Sequence, residues 1–315
     1  MRLPKGKHEM KHIETIIVAL ILALTVQSCG DTRKDDARAD IAVTILPLKY
    51  IVENIAGDDF RVDVLVPSGA SPETFEPTPK QYIALNEARM IFSTGLIDFE
   101  NALLSRIEHK ERLVNLSRGI DLMEGSCSHD HSHAEAAHES EESGDEGHEH
   151  AKEEHLHGID PHIWTSPREL RIMARNAFDA ISRQYPDSAK YVEAYRALDE
   201  RLVRLDVECK RMCDESKSRA FVVYHPALTY FARAYGLEQI AVESDGKEPS
   251  AKHIARIIDE ARAKGVACLL YQSQYPRSAV EIIARDMGVE CREIDPLAED
   301  AAQNIIDITR VITGN

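Results

Sequence analysis

The sequence predicts an α/β protein made of two halves, each carrying a mainly parallel sheet, joined by one long backbone helix. Three observations carry this prediction. Short β-rich runs alternate with helical patterns from Ile41 onward. Strands separated by helices argue parallel units with right-handed crossovers. One sustained helical pattern beyond residue 166 then divides the alternation in two.

Taken in order, residues 41–46 (IAVTIL) read as a strand, and 48–57 have helical period with a terminal Gly57. Residues 61–66 (RVDVLV) form the second strand, 79–88 a helix, 89–94 the third strand, 98–109 a helix and 113–116 the fourth strand. Ser166 as N-cap and Pro167 in the first position open a helix over 166–187. Along it Leu170, Met173, Ala177, Ala180 and Ile181 keep near-helical spacing. A second helix covers roughly 187–214. Alternation then resumes, with strands at 219–224, 237–242, 267–272 and 289–294 and helices at 226–236, 250–265, 277–288 and 298–314. The organisation expected is an N-terminal lobe over 41–165, a linker helix over 166–187 and a C-terminal lobe over 188–315. No sequence repeat between the halves is strong enough to claim duplication.

The N-terminus reads as an export signal. Arg2, Lys5, Lys7 and Lys11 precede an apolar run from Ile16 to Leu24. About 11 apolar residues suit a signal peptide, whereas spanning a bilayer takes about 20. Ser28-Cys29-Gly30 follows and is similar to a bacterial lipobox, with Gln27 where a small residue is usual. Residues 1–28 are therefore read as signal peptide, Cys29 as a lipidated mature N-terminus and 29–40 as a polar tether. Export permits a disulfide between Cys268 and Cys291, each in a predicted strand; sequence leaves that bridge open. Cys209 and Cys213 stand one helical turn apart, which suits packing better than a bridge. The net charge of -16 argues against nucleic acid and against a basic membrane-surface helix.

Much of that charge lies in one segment. Between Cys127 and His157 stand eight of the fourteen histidines and ten acidic residues, with Lys152 the one base. Imidazole and carboxylate are ligands of borderline and hard divalent cations. The segment has too little apolar content to bury a core, so it is expected to be disordered without metal. The HxHxH and HxH spacings of His129, His131, His133, His148, His150, His155 and His157 mark auxiliary metal contacts over the alternative of a plain acidic linker. They do not say whether metal is captured, sensed or delivered.

Four further residues form a candidate metal site. In open α/β sheets ligands sit beyond the carboxyl ends of strands. His225 ends FVVYH, Asp295 ends VECREID, and Glu73 follows the strand RVDVLV within SGASPETFEP. His162 lies between the His-rich segment and the long helix. Each has a proline neighbour, Pro72, Pro161, Pro226 or Pro296, and proline fixes φ in loops that must hold ligands still. Two imidazoles and two carboxylates suit zinc or manganese.

These segments carry a resemblance. SGASPETFEPTPKQ (68–81), DPHIWTSP (160–167), YHPALTYFARAYGL (224–237), KEPSAKHI (247–254) and IDPLAED (294–300) are similar to the metal-binding substrate-binding proteins of bacterial zinc and manganese ABC transporters, the ZnuA/TroA type. The match covers nearly everything from Ile41 to Asn315. It implies two lobes linked by a rigid helix, with metal held in the cleft between them and handed to a membrane permease and its ATPase. It also implies a lipid-anchored monomer on the extracytoplasmic, periplasmic face of the envelope, without enzymatic activity. Carried over by residue, the ligands fall on His162, His225 and Asp295. Where relatives carry a histidine this sequence has Glu73, which hardens the site toward manganese or iron unless His155 or His157 supplies the missing imidazole. The His-rich segment resembles the zinc-specific branch, and zinc is the metal expected.

Two other classes stay in view. A membrane-tethered zinc hydrolase would need an open metal position and a base such as Glu73, but no H-E-x-x-H, nucleophile elbow or phosphate loop occurs. An adhesin-like or metal-buffering lipoprotein would need no permease at all.

Overall fold

A computed structural model describes residues 40–125, 158–186, 188–243 and 249–314. The signal segment, Cys29, most of the tether and the auxiliary histidines from His129 to His157 lie outside the described residues. What is described belongs to one compact unit beginning at Ala39.

Eight strands and nine α-helices are found among the described residues. The first half runs β1 (Ile41–Val43), α1 (Leu46–Ala56), β2 (Val62–Val64), α2 (Pro79–Glu87), β3 (Met90–Ser93), α3 (Asp98–Leu104) and β4 (Leu113–Asn115). Two helices follow, α4 (Pro167–Gln184) and α5 (Ala189–Glu215). The second half runs β5 (Ala220–Val223), α6 (Thr229–Tyr235), β6 (Glu238–Ala241), α7 (Ala251–Ala263), β7 (Cys268–Gln272), α8 (Arg277–Met287), β8 (Glu290–Ile294) and α9 (Ala301–Thr313). Each half holds a four-stranded sheet, ordered β2-β1-β3-β4 and β6-β5-β7-β8, with every pairing parallel. The two orders are the same although no sequence repeat announces them.

Boundaries shift where side chains from elsewhere intervene. The strand expected over 41–46 stops at Val43, because Pro47 near the first turn starts α1 and Thr44 turns its hydroxyl to Glu100. The helix expected over 98–109 stops at Leu104, where Lys110 Nζ takes the carbonyls of Leu104 and Ser105 at 2.7 and 2.6 Å. The helix expected from 226 begins at Thr229, leaving residues 224–228 as a connector beyond β5. Ser166 occupies the N-cap position of α4, but its hydroxyl makes no cap bond.

The single long linker is joined by a longer partner. α4 packs along α5, which has 27 residues and so a length of about 40 Å at 1.5 Å per residue. α5 also lies against α1 from the first half and α9 from the second. On α4, Leu170, Met173, Ala177, Ala180 and Ile181 are all buried, and Ala174 joins them. One apolar core thus runs from the first sheet through α4 and α5 onto one face of the second sheet, at Phe221, Val223, Cys268 and Leu270. Each large aliphatic residue buried there contributes about 1.5–3 kcal/mol. A smaller cluster covers the other face, at Val222, Leu269, Tyr271, Ile257 and Val280.

That period of two settles the cysteines. Cys268 stands opposite Glu290, while Cys291 stands opposite Leu269. The two side chains therefore point to opposite faces of the sheet, and both thiols are free. Cys209 and Cys213 are buried free thiols in the main core. Burial pushes the Cys213 thiol up to about 12, so it stays protonated packing material.

Candidate metal centre

In the second sheet the strand order reverses between β5 and β7, and the crevice beyond their carboxyl ends is where such folds bind ligands. His225 lies two residues past β5, and Gln272 is the last residue of β7. Gln272 holds the His225 backbone from both sides, donating to its carbonyl at 3.0 Å and accepting from its N–H at 3.4 Å. The β5–β6 ladder continues past the strands, with Val242 N donating to Val223 O and Glu243 N to Tyr224 O. This sets Glu243 beside His225, and its Oε2 stands 3.0 Å from His225 Nδ1.

The corresponding crevice of the first sheet is already filled. Glu100, fully buried, accepts from the hydroxyls of Thr44 and Thr94 at 2.5 and 2.6 Å and from the N–H groups of Thr94 and Gly95. Contributions from this half come instead from its loops. Glu73 lies in the connector between β2 and α2, where its N–H donates to Ser71 Oγ. His162 caps the short turn before α4. Asp160 accepts from both its backbone N–H, at 2.8 Å, and its Nδ1, at 2.9 Å. Trp164 then donates from Nε1 to Pro296 O at 2.9 Å, and Tyr230 donates to Asp160 O at 2.8 Å. The turn is thereby tied to the second half on two sides.

Glu73, His162 and His225 converge, each offering a ligand atom within 4.8 Å of the others. The two imidazoles stand 5.2 Å apart between centroids and are buried to 7 and 8% exposure. They border a cavity of about 40 Å³, also walled by Ser71, Gln274, Tyr275 and Leu297. A water needs about 10–15 Å³ of such space, so the cavity suits one ion with little solvent. His225 Nε2 is 2.6 Å from Glu73 Oε1 but misaligned for donation, and it has no hydrogen-bond partner. A buried nitrogen in that condition is costly unless something accepts its lone pair or proton.

Charge in the site is coupled. Burial lowers the His225 pKa, but Glu243 and Glu73 outweigh it and hold the imidazole up at about 9. Burial raises Glu73, yet the imidazoles of His225 and His162 bring it below its ordinary value. Asp160 is raised by burial and brought down further by His162. Each histidine thus keeps a carboxylate at Nδ1, leaving Nε2 to face the cavity.

Asp295, the fourth residue singled out by sequence, stands outside the converging group. Its Oδ1 accepts from Leu297 N at 2.9 Å, and its carbonyl accepts from Asn304. Its neighbours Pro296 and Leu297 do line the cavity. Sequence reading also missed Asp160, Glu243, Gln272 and Tyr275. Asp160 had a visible cue, two residues before His162 in a turn. Glu243 had none, since its closeness to His225 follows from β6 lying beside β5.

Comparison with known proteins bears on the family and the fold. Residues 41–313 match the ZnuA family, described as "Zinc-uptake complex component A periplasmic". The chain is 26% identical to the zinc-binding lipoprotein AdcA of Streptococcus pneumoniae over 91% of its own length, but it spans only 56% of that relative. It is 28% identical to the high-affinity zinc uptake system protein ZnuA of Bacillus subtilis over 91% of both chains. A crystal structure of ZnuA superposes with a TM-score of 0.74 at 30% identity, covering 88% of this chain and 98% of that one. A zinc-bound ZnuA lacking residues 138–173 of its own numbering gives 0.73 at 31% identity, covering 88% and 97%. By the extent of that match, over nearly all of both halves, the chain belongs to the ZnuA family.

Proposed function

We propose that the protein captures zinc outside the cytoplasm and passes it to an ABC-transporter permease for uptake. The observation that carries this reading is the meeting of two buried imidazoles and one carboxylate around an ion-sized cavity, with one imidazole nitrogen lacking any hydrogen-bond partner. Neutral imidazole and carboxylate are zinc donors, and relatives named for zinc binding and zinc uptake support the choice. His162, His225 and Glu73 take three positions. Asp295, whose Oδ1 accepts from Leu297 N, has a second oxygen with which to offer a fourth ligand. The protein acts as a binding protein rather than an enzyme, anchored through Cys29, with the permease and its ATPase as partners.

His225→Ala tests the reading directly. Zinc affinity should fall by orders of magnitude in calorimetry, with far-UV circular dichroism unchanged. Parent-like binding by this variant would place the site elsewhere. Asp295→Asn should weaken zinc only if that carboxylate joins the ion. A second reading, manganese or iron in the same position, rests on the hard oxygen of Glu73 where imidazole is usual.

A further inference from the structure

We infer that Glu243 is a positioning residue for metal capture, fixing His225 as the Nδ1–H tautomer with Nε2 aimed at the ion. The inference rests on the metal-site reading above. Glu243 lies just past β6 and is buried to 7% exposure, with its Oε2 3.0 Å from His225 Nδ1. The parallel pairing of Val222 with Ile240 and Val223 with Ala241, carried two residues further, brings Glu243 opposite His225. Its place is therefore built into the sheet rather than left to a loop.

The surroundings complete a clamp. Tyr275, in the connector after β7, stacks on the His225 ring at 6.0 Å and 20°, and burial, helped by the nearby Glu243 carboxylate, raises its phenol pKa. Gln272 fixes the His225 backbone. Strand-end residues of β6 and β7 thus hold the ring by its edge, its face and its main chain. On the opposite wall Asp160 holds the Nδ1 of His162 in the same manner. An imidazole whose Nδ1–H is donated to a carboxylate has its tautomer and ring plane fixed and its other nitrogen made more basic. Each side of the cavity therefore has its own carboxylate behind the imidazole, and the one behind His225 is not part of any segment that carries the family resemblance.

The experiment compares Glu243→Leu, Glu243→Gln and Glu243→Asp in the full chain, using zinc alone against a chelator. Long-range 1H–15N spectra read the His225 ring, and metal-free thermal unfolding verifies that each variant folds. Glu243→Leu removes the acceptor at similar volume and should lower zinc affinity about 10–100-fold, with the His225 Nδ1–H signal lost. Glu243→Gln, whose amide oxygen still accepts from Nδ1–H, should recover most of that loss. Glu243→Asp withdraws the carboxylate by one methylene and should weaken zinc while keeping the charge, which preserves the test if the leucine variant does not fold. Parent-like affinity and an unchanged Nδ1–H signal in the leucine or aspartate variant overturn the inference. His225→Ala in parallel separates the two levels: weak binding there beside parent-like binding in the Glu243 variants rejects only the positioning role, whereas parent-like binding in His225→Ala rejects the site.

Discussion

Glu73 stands where the family resemblance leads one to expect a histidine, and its oxygen sits 2.6 Å from His225 Nε2. Glu73→His should therefore raise zinc affinity relative to manganese, and Glu73→Gln should weaken both, because the amide keeps shape and loses charge. Competition titrations of the two metals read this; an unchanged ratio in Glu73→His with normal binding in Glu73→Gln makes Glu73 a bystander. The pH dependence follows from His225. Its imidazole is held up at about 9, so at neutral pH the metal must displace a proton. Glu73 is shifted down and stays ionised, so His225 sets the window. Zinc affinity should rise about tenfold per pH unit from neutral pH to about 9 and then level off. In the metal-free protein the sign is opposite: the imidazolium stabilises the fold fully below its ordinary 6.5, and that contribution fades as pH rises through about 9. Affinity flat from neutral pH to 9 would show that no proton leaves His225.

At the scale of elements, Glu100 shows how a helix can be fixed from its first turn. It is the third residue of α3, and its carboxylate gathers the loop N–H groups ahead of the helix together with the hydroxyls of Thr44 beyond β1 and Thr94 beyond β3. Glu100→Ala would orphan several buried donors at about 1–3 kcal/mol each, so a loss of at least about 3 kcal/mol is expected in denaturant unfolding of the metal-free protein. A loss under about 1 kcal/mol would mean water replaces the carboxylate readily. Sequence foreshadowed none of this network. The strands were legible because β-branched runs such as IAV and FVV alternate with helical periods. Their ends were not, because Lys110 ends α3 from outside the helix and Glu100 meets Thr44 across 56 residues. Likewise His225 and His162 were visible in proline-flanked strand ends and turns, whereas Glu243 becomes their associate only through strand order. Local pattern carries element type; partners that depend on which strands lie side by side need the assembled sheet.

For the whole molecule, the question is whether the acidic, histidine-rich segment belongs to the tight site. The described residues that flank it are joined to each other. Gly125 N donates to Gly158 O at 2.7 Å, Asp160 N donates to Met123 O at 2.9 Å, and Glu124 and Ile159 form an antiparallel bridge. Removing 127–157 would thus leave two ends already side by side, with Asp160 and His162 anchored through Tyr230 and Trp164 to the second half. The deletion variant should keep one tight zinc site and lose only weaker binding, since Glu73, His162 and His225 all lie outside the deleted segment. The chain's one tryptophan supplies the readout. Trp164 lies 5.3 Å from the His162 ring and is buried in the core shared by both halves. Its emission should change on zinc addition and saturate at one equivalent in both parent and deletion variant, while calorimetry shows extra, weaker heats only in the parent. If the first equivalent no longer binds tightly after the deletion, a histidine such as His155 or His157 is a ligand, and the set of Glu73, His162 and His225 is incomplete.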